Sequence, residues 1–344
     1  MKTVHFSIIA GSMLLLASCG ATKSVTYLEA YSPEESSLNM VKITDETNNT
    51  VIAGASNTAS AYTISQNING TNGLSSQKQY LWGTHKLLAL SPDGKKLAYC
   101  TRSNNQDNIM VRSTGAQGVS TQRTFRNVHS FSWGNDDKLY FSDINGSNNY
   151  ICSVNAEAGS MMNQLTNGNV TDLSPEMSSD GKLLFFTRLS NGGPSIWSLN
   201  RNDGTLTSCA RGFNQCLIPG NNEAFYCVRN TSTGRSEIWL VNFVKGQESL
   251  ILSDENHSFT NPRLSPDGKW ILCVGNSLSN ISKKQNLDIF VVRTDGSRLT
   301  QLTYHPAADT CPVWSKDGRS IYFISSRANK NDHYNVWRMN FNIE

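Results

Sequence analysis

A turn written over and over, a short apolar strand on either side of it, and a spacing of about 45 residues between copies predict an all-β chain: a β-propeller of about six four-stranded blades. The turn reads SPDG at 91–94, GNDD at 134–137, SSDG at 178–181, SPDG at 265–268 and SKDG at 315–318. Its marker residues Asp93, Asp136, Asp180, Asp267 and Asp317 stand 43, 44, 87 and 50 residues apart. The long interval is a double period, and its midpoint holds a degenerate copy, IPGNNEAFYCVR at 218–229, which completes six.

Each unit follows one grammar. A short strand ends in Ser or Trp and enters the turn, where Pro92 suits the second position of a type I turn and Gly94 the left-handed position of a following bulge. The second strand is apolar throughout: KLAYC, KLYFS, LLFFT, AFYCV, WILCV and SIYFI. The third strand follows a polar loop and reads NIMVRS, YICSVN, SIWSLN, EIWLVN, DIFVVR and NVWRMN. A weaker fourth closes most units, as in QLT at 164–166, LILS at 250–253 and LTQLT at 299–303. The last unit ends at its third strand, so an N-terminal strand is expected to complete it. The region 25–67 contains strand-like pieces (VTYLEAY, NMVKIT, TVIAGA, AYTIS), and a degenerate seventh blade there is the alternative. The Gly/Asn/Ser-rich stretch 68–84 reads as a loop.

These units resemble the TolB-type propeller repeat, with its (W)SPDG turn, apolar second strand and IY/IW third strand. The resemblance covers roughly 85–344, is best at Trp314 in PVWSKDG, and is weakest in the fourth copy, which lacks the turn Asp. It implies a periplasmic propeller that works by binding partners. The separate N-terminal α/β domain of TolB has no counterpart in the sequence pattern, so a role in that particular system is not implied.

The first 20 residues, MKTVHFSIIAGSMLLLASCG, place Lys2 before an apolar run from about Val4 to Ala17, too short for a membrane span and suited to a signal peptide. Its ending, Leu16-Ala17-Ser18-Cys19, resembles the lipobox of bacterial lipoproteins. That resemblance implies cleavage before Cys19, lipid on its thiol, and an anchor strong enough for stable membrane attachment. The expected organisation is a signal peptide at 1–18, a lipidated tether at 19–24, ring-closing strands and a loop at 25–84, and the propeller at 85–344. The lack of an acidic run after Cys19 favours an outer-membrane anchor facing the periplasm.

A net charge of +3, evenly spread, argues against nucleic acid, which needs a clustered basic face. With Cys19 committed to lipid, seven of the eight cysteines remain. Cys100, Cys227 and Cys273 recur inside apolar strands and read as buried thiols. Cys209 and Cys216 are near enough in sequence to bridge, unless they lie on different strands.

No G-x-S-x-G elbow, phosphate-binding loop or dinucleotide glycine fingerprint occurs. The repeated turn aspartates are accounted for by turn hydrogen bonding rather than acid–base work. With the SPDG turns on one face, functional residues are expected on the opposite face. There Arg102, Arg188, Arg229 and Arg327 follow the second strands, and His129, Asp172, His257, His305 and Asp309 lie at inter-blade connections. The arginines either form a rim for an acidic partner or pin their own blades. The histidines show no ligand spacing beyond His305-x3-Asp309, so neither a metal nor a cofactor is expected. The expected function is a non-enzymatic, lipid-anchored envelope scaffold for another envelope protein, with no catalytic residues. The alternative is a glycan-binding or glycan-cleaving propeller that uses the central funnel.

Overall fold

The computed structural model describes residues 33–45, 50–51, 60–67, 74–81, 85–115, 118–145, 148–157, 160–167, 170–190, 192–278, 285–327 and 333–343. The apolar run, Cys19, the tether and the VTYLEAY segment lie outside the described residues.

Six antiparallel sheets follow one another as propeller blades, each meandering outward from an innermost first strand. Blade 1 uses Leu88–Leu90, Lys96–Ser103, Gln106–Ser113 and Thr121–Gln122. Blade 2 uses Val128–Trp133, Lys138–Asn145, Asn148–Asn155 and Asn163–Gln164. Blade 3 uses Thr171–Met177, Leu183–Ser190, Gly193–Asn200 and Leu206–Arg211. Blade 4 uses Phe213–Ile218, Asn221–Asn230, Ser236–Asn242 and Gln247–Leu252. Blade 5 uses Phe259–Leu264, Trp270–Leu278, Gln285–Arg293 and Thr300–Gln301. Blade 6 uses Asp309–Trp314, Ser320–Ser325 and Asn335–Asn340.

The second strands are apolar throughout because both of their faces are covered, one by each neighbouring blade. Tyr140 and Ile151 of blade 2 pack on Leu184 and Phe186 of blade 3. Phe185 of blade 3 meets Phe225 of blade 4 edge-on, with ring centroids 5.9 Å apart. Tyr226 packs with Phe259 and Ile271, Leu272 with Ile321 and Trp337, and Ile324 with the Tyr99 and Phe141 cluster, which carries the core around the ring. Cys100, Cys227 and Cys273 are buried free thiols in these layers.

The repeated turn has one internal wiring. Ser91, Ser178, Ser265 and Ser315 each donate through Oγ to the Asp two residues on, at 2.6, 2.7, 2.6 and 2.5 Å. The same Oγ accepts the amide five residues on, from Lys96, Leu183, Trp270 and Ser320, at 2.9 Å in each case. Gly94, Gly181, Gly268 and Gly318 take φ of 76°, 72°, 72° and 71°, a region costly for any residue with a Cβ. The turn Asp is therefore a structural acceptor in all four copies.

The N-terminal segment begins with a one-turn helix, α1 (Pro33–Ser36), and then contributes strands β1 (Val41–Lys42), β2 (Thr50–Val51), β3 (Ser60–Asn67) and β4 (Leu74–Leu81). Strand β1 pairs with Asn335–Asn340 (Val41 opposite Arg338) and is the fourth strand of blade 6. Strand β2 pairs with Lys96–Ser103 on the side that Leu88–Leu90 also occupies, which lengthens the innermost edge of blade 1. Strands β3 and β4 form their own two-stranded sheet over eight opposed pairs. Two sequence expectations are corrected here. The stretch 68–84 is not wholly loop, because residues 74–81 find a full-length hydrogen-bonding partner in β3 that composition could not reveal. No seventh blade exists among the described residues, since the N-terminal strands are divided between blade 6, blade 1 and a separate hairpin.

Phe141 is fully buried between blades, so Phe141→Ala should cost about 3–5 kcal/mol. Ser265→Ala, which removes both turn bonds, should cost about 1–2 kcal/mol. Urea unfolding monitored by tryptophan fluorescence checks both.

Candidate functional site

The innermost strands converge on the axis, and most of them bend there. Ser174, Asn214, Asn261 and Cys311, at matching places in blades 3 to 6, take φ of 52°, 56°, 57° and 51° beside a register shift. The bend turns polar groups toward neighbouring blades: Ser174 N donates to Ser130 Oγ at 2.8 Å, and Asn261 Nδ2 donates to His85 O at 3.3 Å.

Lys86, just before the first strand of blade 1, reaches across this ring. Its side chain is wholly buried, and Nζ pairs with Glu176 Oε2 of blade 3 at 3.0 Å and donates to Gln215 O of blade 4. Glu176 Oε1 also accepts the Leu217 amide at 3.0 Å. Gln215 in turn donates to Ser174 O and accepts from Thr187 Oγ1 at 3.0 Å. Burial pushes the Lys86 pKa down, and the adjacent Glu176 carboxylate opposes that shift.

Next to this plug a funnel of about 390 Å³ is lined by residues of all six blades, among them Ser91, Pro92, Ser265, Pro266, Ser315 and Lys316 of the turns. It therefore opens on the SPDG face, opposite to the face that carries the candidate residues expected from the sequence. The physical reason is the direction of the inner strands, whose C-terminal ends splay into the turns around the axis. Leu90, Trp133, Met177, Leu217, Val313 and Trp314 form apolar walls, Glu176, Cys216 and Arg263 supply polar groups on the inner strands, and the turn serines and Lys316 supply those of the rim. Glu176 is engaged by Lys86 and Leu217. Arg263 is half-buried, its Nε has no hydrogen-bond partner, and it makes no ion pair among the described residues. The site thus offers one uncommitted guanidinium within an apolar cup, suited to a carboxylate on an apolar stem.

The residues expected from the sequence occupy other settings. Arg102 forms a bidentate pair with Asp107 of its own hairpin at 2.7 Å and is 57% exposed. Arg188 holds Asp172 at 2.8 and 2.9 Å and stacks over Trp197. Arg229 holds Glu248 at 2.7 Å and stacks over Trp239. Arg327 is buried against Glu35 and Asp309. His257 pairs with Asp254 at 2.7 Å, and His305 Nδ1 accepts the Ala307 amide at 2.9 Å. His129 stacks on His85 with ring centroids 4.1 Å apart. Burial drives the His85 pKa down to about 4 and His129 well below its usual value, so both imidazoles are neutral at physiological pH. The structure thus brings Asp309 to Arg327 and Asp172 to Arg188, and holds the three histidines in separate environments. Among the described residues no group of three or more His, Cys, Asp or Glu side chains is arranged to hold a metal.

Sequence reasoning missed Lys86, Glu176 and Arg263. For Glu176 and Arg263 the signal was a second recurring element of the inner strands, Ser174-Pro175-Glu176, Asn261-Pro262-Arg263 and Cys311-Pro312-Val313, in which the last residue varies; Lys86, just ahead of its strand, carried none.

Residues 219–343 match the family model described as the TolB beta propeller domain. A protein assigned as TolB in Agrobacterium tumefaciens has a similar structure, with TM-score 0.57, 17% identity, and coverage of 78% of this chain and 95% of that one. In fold, the chain is a TolB-like β-propeller. TolB from Acinetobacter baumannii gives TM-score 0.53 at 16% identity, over 75% of this propeller chain and 63% of its own. Oligogalacturonate lyase from Vibrio parahaemolyticus gives TM-score 0.52 at 10% identity, over 88% of this chain and 98% of its own. These identities speak to the TolB-like fold alone. No curated protein matches the sequence.

Cys209 and Cys216 are both free, on the last strand of blade 3 and the first of blade 4. Cys216 accepts the Leu264 amide, and burial pushes its pKa up to about 11. A maleimide should therefore label the partly exposed Cys209 well before the other described cysteines, as read by mass spectrometry. Lys86→Ala strands Glu176 at the axis and should cost about 3 kcal/mol or more, whereas the double change Lys86→Met/Glu176→Gln should recover most of that. Chemical denaturation of the three variants checks the cycle.

Proposed function

We propose that this chain is a lipid-anchored protein of the cell envelope whose TolB-like propeller is a non-enzymatic docking body, and that the funnel on the turn face is where its protein partner binds. The observation that carries the reading is Arg263: a guanidinium without an ion pair among the described residues, held in an apolar cup that all six blades line. An arginine in such a place is an anchor for a carboxylate presented by an apolar loop, and aromatic walls such as Trp133 and Trp314 suit the centre of a protein interface. The envelope location rests on the lipobox-like Leu16-Ala17-Ser18-Cys19 and on the TolB-like fold.

A photo-crosslinker at Lys316, on the funnel rim, should capture one envelope protein. A crosslinker at Asn104, in the turn at the far end of blade 1, should not. Arg263→Glu should reduce capture at least tenfold without lowering thermal stability. Equal capture from both faces, or none from the rim, would sink the docking reading. A glycan-cleaving role predicts instead an unsaturated, ultraviolet-absorbing product from acidic oligosaccharides that is lost in His257→Ala or His305→Ala.

A further inference from the structure

An enclosed cluster of charges lies away from the funnel, where α1 meets blades 5 and 6. Arg327 is enclosed with no exposed surface and holds two carboxylates, Glu35 of α1 through Nη1 at 2.5 Å and Asp309 of blade 6 through Nη2. The Phe323 ring lies under the guanidinium at 5.1 Å. A third carboxylate, Asp288 of blade 5, is also buried, and it makes no ion pair among the described residues. Its partners are neutral donors: Ser277 Oγ, and at 3.4 Å Asn286 Nδ2, Gln301 Nε2 and Thr303 Oγ1. Tyr304 donates its amide to Glu35 Oε2 at 3.1 Å, and His305, on the same connection, uses its ring to accept the Ala307 amide. Three enclosed carboxyl groups thus lie where α1 meets blades 5 and 6, two of them on Arg327, with Thr303 Oγ1 donating to Asp288 and the next residue's amide, Tyr304 N, donating to Glu35; Asp288 makes no ion pair among the described residues.

We propose that Asp288 keeps its proton while the ring is closed, and that this proton operates a latch. While it is held, Glu35 stays seated on Arg327 and the N-terminal segment closes blade 6. When it is lost, a second uncompensated negative charge enters the enclosure and the segment is released. Glu35 is the group that yields. Asp309 is fixed in the innermost strand of blade 6, opposite Ser325 of the next strand, whereas Glu35 sits on a four-residue helix. Its segment is held by the two pairs of β1, the Ile43 and Thr44 amides on Val336 O, the Asn340 amide on Leu38 O, the Thr44 hydroxyl between Asn335 and the Val336 amide, and the packing of Leu38 and Ile43. Burial, with Asp309 and Glu35 as negative neighbours, pushes the Asp288 pKa up to about 8, consistent with a proton held at neutral pH.

The sign follows from linkage. A carboxyl whose pKa rises from 3.8 in the unfolded chain to about 8 in the folded one contributes fully below pH 4 and loses its contribution as pH rises toward 8. The folded-to-unfolded ratio of the native protein, relative to Asp288→Asn, should therefore fall about tenfold per unit between pH 5 and 8 and level off above that. Tryptic cleavage at Lys42, normalised to Asp288→Asn, should accelerate over the same range. Parallel stability curves for the two proteins from pH 5 to 9 would overturn the latch, as would unchanged relative cleavage at Lys42. If Asp288→Asn does not fold, Glu35→Gln serves: removing one negative neighbour should move the levelling point to lower pH, and an unmoved point overturns the proposal.

Discussion

Two residue pairs, Val41 with Arg338 and Lys42 with Trp337, complete the sixth sheet with chain from the far end of the sequence. Blades that bury both faces leave no free face only when the ring is closed, so every inter-blade cluster depends on this join. It is reinforced by polar contacts as much as by apolar ones. Ile43 and Leu38 pack inward, while Glu35 reaches Arg327 and Thr44 bonds Asn335. Placing carboxylates in that enclosure ties ring closure to protonation, a coupling a purely apolar seam would lack.

The axis is the second point of convergence. Six inner strands leave a gap that side chains must fill, and here a lysine fills it, bridging blades 1, 3 and 4 through Glu176 and Gln215. A buried ion pair of this kind adds little net stability over an apolar plug but sets registry, because only one arrangement satisfies every partner. His85, the residue before Lys86, stacks neutrally on His129. The funnel on the turn face, and the charge left within it, follow from how Lys86 and Glu176 neutralise one another while Arg263 does not.

The arginines that follow the second strands show how repetition can mislead a search for function. Each recurs at an equivalent place, yet Arg102, Arg188, Arg229 and Arg327 all pair with carboxylates of their own blade, Arg327 also with one of α1, because a strand end leaves charge and backbone to be satisfied in every unit. Function is better sought where the repeat is broken. Arg263 stands where the sister strands carry Glu176, Cys216 and Val313, and a site is argued from such departures rather than from the fold.

The blades were legible from the sequence because their causes are local. A Ser-x-Asp-Gly turn satisfies its own hydrogen bonds, and a strand covered on both faces must be apolar whatever covers it. The expected ring-closing strand was legible for the same reason: the last repeat lacks its fourth strand. The hairpin β3–β4 was not, because polar strands of that composition become a sheet only by pairing with each other. Nor was the funnel, because Lys86, Glu176 and Arg263 lie in three blades, and which two of three scattered charges neutralise each other is decided by distance across the axis. Sequence alone determined the repeating unit; the closed ring determined which charges pair, which remain, and on which face a partner would find them.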